Sequence, residues 1–345
     1  MGDGANRWDG GGGSPDLKVR GSISPRITIA RMSQSRRDFL AVSTVGVVAS
    51  TFGRPALVRA WQQQPAPITP LFTAIRRDVG FFTARGGTIG YLINANGVAV
   101  VDSQYPDSAK LCVDGLQERS KNRGVDILIN THHHADHTGG NPAFKGIAKK
   151  IVANKRAAEL QQQVYDDAVK AATAKGGAAP AGILVADRTF TDTWSESVGD
   201  EKLTAKTYTP AHTSGDAIVF FEKANVVHLG DLMWNRVHPV IDRAAGASIA
   251  NWIKIMDAIS RVHDKDTIYI AGHTNAKFPA TCSQSDLAMM RDYLSSLLAF
   301  VSFQIKGGKS RDEIIAMKDV LPNFTDHGPL LARSLTPAYD ELTAK

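Results

Sequence analysis

Apolar positions along the chain change period several times, and each change marks an element. From residue 78 onward, β-branched and aromatic residues fall into short runs at 87–93 and 97–101. Asn94-Ala95-Asn96-Gly97 separates them, and its closing Asn-Gly is a hairpin signal. Helical spacing follows over 107–120, then a short apolar strand at 126–130 and another at 150–153. A helix over about 155–173 runs into a loop at 175–182, broken by Gly176-Gly177 and Pro180. Strand character returns at 203–208, 217–221 and 226–229, before a helix over about 248–262 and a strand at 267–270. The last long helix, about 284–304, carries Met289, Met290 and Leu294 on what reads as a core-packing face. Strands alternating with helices and no intervening linker predict one α/β domain, with strands layered between helices.

Ahead of this domain the pattern differs. Residues 1–31 are rich in Gly, Ser, Pro and Arg with no apolar period, and read as a disordered or over-extended leader before a start at Met32. Ser35-Arg36-Arg37-Asp38-Phe39-Leu40 then opens a charge-free run from Phe39 to Gly53. That run is too short for a bilayer-spanning helix, which needs about 20 residues, but suits the apolar core of an export signal. The segment 32–60 resembles a twin-arginine signal peptide, with Val58-Arg59-Ala60 as its cleavage site and a mature domain over 61–345. The resemblance implies a partner in the twin-arginine export machinery and a periplasmic or secreted product without a membrane anchor.

Charge supports this division. The chain of 345 residues carries a net +6. Residues 1–60 hold nine basic side chains against four acidic ones, so nearly the whole surplus lies in the leader and the remainder is close to neutral. A near-neutral domain lacks the electrostatic footprint of a nucleic-acid binder. Cys112, in a predicted helix, and Cys282, in a predicted polar loop, are the only cysteines and read as unpaired thiols.

The densest chemistry follows the strand at 126–130, in Asn130-Thr131-His132-His133-His134-Ala135-Asp136-His137-Thr138-Gly139-Gly140. Imidazole and carboxylate are ligands for zinc and its first-row neighbours. His132 and His134 can face one point while Asp136 and His137 reach a neighbouring one. One loop could therefore serve two metals, with Gly139-Gly140 expected to allow a tight turn beneath it. The alternative is a surface histidine patch that binds metal adventitiously. Against it stand His212, Asp231 and His273, each just after a predicted strand.

The ordered set His132-x-His134-x-Asp136-His137, His212, Gly230-Asp231 and Gly272-His273 resembles the metallo-β-lactamase fold superfamily of metallo-hydrolases, over roughly residues 78–280. The resemblance implies a four-layer αβ/βα sandwich with the site at one edge. It also implies His132, His134 and His212 as ligands of a first Zn2+, Asp136, His137 and His273 as ligands of a second, and Asp231 as the bridge. Asp102 matches an acidic residue that buttresses the histidine loop. An aspartate at 231, where the best-known zinc β-lactamases of this superfamily carry cysteine or serine, looks more like the glyoxalase II and lactonase branches.

These readings predict hydrolysis of an ester, lactone, thioester or amide of a small molecule by a hydroxide shared between two metals, with Asp136 as the catalytic acid–base residue. An iron-dependent oxidoreductase, a phosphodiesterase and a non-catalytic metal binder are the alternatives, because the same donors accept other divalent ions or iron. His133 is expected to be exposed or to support a ligand, and His228 to be a hydrogen-bonded core residue. His238, His263 and His327 have no companions at ligand spacing. Trp234, Asn235 and Arg236 are placed to line a pocket, where Arg236 could receive a substrate carboxylate, although a solvent-facing loop arginine is the commoner case.

Overall fold

The computed structural model describes residues 68–344; the predicted leader (1–31), the twin-arginine segment (32–60) and the chain start at Trp61 lie outside them. Seven strands form a first sheet in chain order: β1 (Leu71–Arg76), β2 (Val79–Thr83), β3 (Ile89–Asn94), β4 (Gly97–Val101), β5 (Ile127–Asn130), β6 (Ile151–Asn154) and β7 (Arg188–Phe190). The first four make an antiparallel meander. β5, β6 and β7 add in parallel, with helices α1 (Pro106–Ser120), α2 (Ala135–Thr138) and α3 (Lys155–Ala174) in the successive crossovers.

The second sheet begins with the antiparallel strands β8 (Thr193–Val198), β9 (Glu201–Thr207), β10 (Ala217–Phe221) and β11 (Val226–His228). β12 (Trp234–Asn235) leaves it, α4 (Ile249–Val262) crosses over, and β13 (Ile268–Ile270) returns parallel to β11. β14 (His273–Thr274) pairs with β12 as a separate two-stranded ribbon, and β15 (Thr281–Cys282) closes the edge beside β13. Helices α5 (Gln284–Lys306), α6 (Arg311–Ile315) and α7 (Ala332–Thr343) follow.

Side-chain parity explains the layering. In β4 and β5, Ala99, Val101, Ile127 and Ile129 point toward the second sheet and pack with Val219, Phe221 and Val226. Their neighbours Val98, Val100 and Leu128 point the other way, onto Cys112, Val113 and Leu116 of α1. Strands buried on both faces read as continuous apolar runs, as these do. The outer face of the second sheet, through Ile218, Val227 and Tyr269, lies under Trp252, Ile255 and Ile259 of α4 and Leu287 and Leu294 of α5. The result is helix, sheet, sheet, helix: the predicted sandwich of two mixed sheets flanked by helices. The long C-terminal helix packs into the core as its sequence implies, burying Leu287, Met290, Leu294, Leu297 and Val301.

Several details differ from the sequence reading. Cys282 lies in β15, not in a loop, and both cysteines are free and buried. Gly139 and Gly140 have ordinary helical φ values of −61° and −83°. They serve close packing instead, since a Cβ on Gly140 would collide with the Ser103 carbonyl oxygen. No helix among the described residues is long and apolar enough to cross a membrane.

Candidate metal centre

β4 runs into Asp102, which is fully buried in the left-handed region at φ 66°. Its carboxylate accepts hydrogen bonds from Thr131 N and Thr131 Oγ1, both at 2.8 Å, and from His137 Nδ1 at 2.7 Å. A buried anion is tolerated when donors satisfy it in this way, and here it fixes the loop that leaves β5. That loop carries His132 and His134, and α2 adds Asp136 and His137 within its first turn. Gly87 permits the closeness, because a Cβ there would overlap the His137 ring.

Hydrogen bonds set the tautomer of each imidazole. Thr131 gives its proton to Asp102, so its oxygen accepts from His132 Nδ1 at 3.0 Å, and His132 Nε2 is left with a lone pair. His134 Nε2 donates to Asp242 Oδ2 at 3.0 Å, which frees Nδ1. His212 Nδ1 donates to the Val240 carbonyl at 2.9 Å, which frees Nε2. The three free nitrogens converge: His134 Nδ1 lies 3.2 Å from His132 Nε2 and 2.9 Å from His212 Nε2. Lone pairs this close repel unless a cation stands between them. Asp231 Oδ2 completes a four-donor group, 3.3 Å from His212 Nε2 and 3.7 Å from His132 Nε2. Three imidazoles and a carboxylate are a donor set that fits zinc.

A second group sits beside the first. His273 Nε2 lies 3.3 Å from His137 Nε2 and 3.1 Å from Asp136 Oδ2. Asp231 borders this group too, with Oδ1 3.0 Å from His137 Nε2 and Oδ2 3.4 Å from His273 Nε2. Asp231 follows β11 in a short 3-10 turn, and a Cβ on Gly272 would strike its Oδ1. The β12–β14 ribbon positions His273, placing it opposite Trp234, whose ring stacks on the imidazole at 4.2 Å. The seven side chains singled out in the sequence thus meet at the carboxyl ends of β5, β9, β11 and β13, around one carboxylate.

Electrostatics mark the same point. Burial depresses His132 well below the ordinary imidazole value and takes His212 to about 3, so both stay neutral, as metal ligands must. Burial also opposes charge on His137 and His273. The carboxylates outweigh it, Asp231 and Asp102 holding His137 well above its usual value and Asp231 with Asp136 lifting His273 to about 9. Burial would raise Asp231, yet His273, His137 and His132 hold it well below the carboxylate range. Protons therefore gather where an ion would neutralise the same carboxylates.

The other candidates divide. His228 is buried in the core as expected, donating from Nε2 to the Thr88 carbonyl at 3.0 Å and accepting from Gly230 N at 3.1 Å. His133 is buried, with Nε2 3.7 Å from Asp242. His238 and His327 instead flank Tyr293, His238 Nδ1 lying 2.8 Å from its hydroxyl and His327 stacking on its ring. Arg236, one candidate to receive a substrate carboxylate, is instead taken up within the protein: its Nη1 bonds Asp326 Oδ2 at 2.6 Å and its guanidinium covers Phe278. Asp242 was missed by sequence reasoning because it stands alone in a loop, 108 positions from His134, with no motif around it. Tyr105, His134, Ala135, Asp136, Asp231, Trp234 and Val240 line an open cavity of about 350 Å³ over the carboxylates.

The sequence model of the metallo-beta-lactamase superfamily matches residues 83–273. A metallo-beta-lactamase type 2 from Elizabethkingia meningoseptica is 24% identical over 206 residues, 59% of this chain and 74% of that protein. Among solved structures, a metallo-beta-lactamase from Pontibacter korlensis superposes with a TM-score of 0.51 at 17% identity, covering 66% of this chain and 99% of its own. A double mutant of the sec-alkyl sulfatase PisA1 gives 0.58 at 16% identity, covering 79% of this chain and 50% of its own. Likeness at such identities is a likeness of fold. With the family match spanning more than half of the sequence and His/Asp groups converging at its edge, the chain belongs to the metallo-beta-lactamase superfamily of hydrolases.

Proposed function

We propose that the protein is an exported dinuclear zinc hydrolase that cleaves an ester, lactone, thioester or amide bond of a small molecule, β-lactams included. The observation that carries this reading is Asp231, whose one buried carboxylate borders both donor groups. His132, His134 and His212 would hold the first ion, Asp136, His137 and His273 the second, and Asp231 would serve both. When bound, two such ions lower the pKa of a shared water and polarise an acyl oxygen.

The chain's own residues do the rest. Asp136 opens onto the cavity with a side chain 23% exposed, and it is kept anionic because His273 outweighs the effect of its burial. It would orient the attacking water, accept that water's proton and hand it to the leaving group, returning to the carboxylate form. Trp234 gives the cavity an apolar wall and fixes the His273 ring. No thiol takes part, since Cys112 and Cys282 are buried in the core and burial raises both. Export through the twin-arginine machinery to the periplasm or beyond is supported by Arg36-Arg37 and the charge-free run after them.

Initial rates on a β-lactam, a lactone and a thioester, measured side by side with zinc supplied, test the reading. Turnover of one of them that vanishes on chelation is expected. Failure on all three with iron bound would replace it with redox chemistry. Asp242 gives a second test, because its bond to Nε2 fixes the His134 tautomer. Asp242→Ala is expected to weaken zinc binding by about 10–100-fold, measured by competition with a chelating dye, while activity at saturating zinc stays within about tenfold.

A further inference from the structure

A second cavity, of about 370 Å³, adjoins the first, and the two share His134 and Ala135 as a common wall. Its lining is mostly apolar: Val164, Tyr165 and Ala168 from α3, and Pro180, Ala181 and Ile183 from the following loop. The volume is that of a small-ligand pocket.

Two features distinguish it from a chance gap. First, Gln161, Val164, Tyr165 and Ala168 form one stripe of α3 at helical spacing, yet only Gln161 among them is buried, while Val164 stays 57% exposed. This stripe faces the cavity, not a core. Second, the loop is tethered, because buried Asn141 donates from Nδ2 to the Leu184 carbonyl at 2.9 Å.

We propose that this cavity is a substrate subsite for a medium-length acyl or alkyl arm, held by the apolar face of α3 and the loop that follows it. The reacting head then lies over Asp136 and Asp231, and the arm passes Ala135 into the apolar space. The inference rests on the hydrolase reading and narrows its substrate to molecules with an apolar tail.

The test titrates butanoate, hexanoate, octanoate and decanoate into the zinc-loaded protein by calorimetry. Affinity is expected to rise about threefold per methylene, a little under the value for complete burial, until the cavity is full. Ala168→Phe and Val164→Asp change exposed positions that the fold tolerates. Each is expected to weaken octanoate at least about tenfold while leaving butanoate unchanged. A series independent of length, or a length dependence that survives both variants, overturns the subsite. A repeat after zinc removal separates the two readings. Long chains that bind equally well without zinc, with their length dependence intact, uphold the subsite while counting against a metal beside it.

Discussion

Asp231→Ala is expected to empty both metal positions and to lower kcat/KM by about 10³-fold or more, roughly 4 kcal/mol of transition-state stabilisation. The magnitude follows from how many groups depend on one carboxylate. His132, His137, His212 and His273 all place Nε2 within 3.7 Å of its oxygens. Without it, the first donor group keeps no anion and the second only Asp136, so cations there would meet poorly compensated charge in a buried site. Asp231→Asn is the control, since it keeps the shape and loses only the charge. It is expected to fold like the parent by circular dichroism yet bind less than one equivalent of zinc. Normal metal content and turnover in the alanine variant would remove Asp231 from the centre.

The second large effect belongs to a residue that touches no metal position. Asp102→Ala strips the partner from Thr131 N, Thr131 Oγ1 and His137 Nδ1 at once, in a site with no access to water. Leaving donors buried without a partner in this way costs about 3–5 kcal/mol, measured as a shift in urea denaturation. Asp102→Asn tests orientation separately. Asparagine tolerates the left-handed backbone at this position, and its carbonyl can still accept from Thr131 N. Its amide would then face His137 Nδ1 donor to donor and drive the ring to the opposite tautomer, placing the proton on Nε2. A folded protein with zinc affinity lower by about 10–100-fold is the expected result. Unchanged affinity would mean that the His137 tautomer is not set by Asp102.

The features legible in the sequence were those with a local cause. β4 and β5 announce themselves as unbroken apolar runs because both faces are buried, and the side chains of the candidate site follow strand ends in order. The edges were illegible for a physical reason. β8 alternates exposed and half-buried positions (Thr193, Trp194, Ser195, Glu196), so its polar sequence lacks a strand signal. The pairing of β12 with β14 depends on neighbours distant in the chain, and β1, though it forms a local hairpin with β2, lies at the sheet edge with no residue fully buried. Asp242 and Arg236 show the same limit in the site. A lone aspartate in a loop gives no sign that it will meet His134. A lone arginine beside Asp231 gives no sign that Asp326, 90 residues away, will claim it.

The central claim is that two donor groups share Asp231 and hold two ions. It is tested most directly by counting metal in purified protein, dialysed against zinc and then against metal-free buffer, by inductively coupled plasma mass spectrometry. Two equivalents of zinc per chain, falling below one in Asp231→Asn, is the result this account predicts. One equivalent or none in the parent protein, or a stoichiometry of two that Asp231→Asn leaves intact, would contradict it.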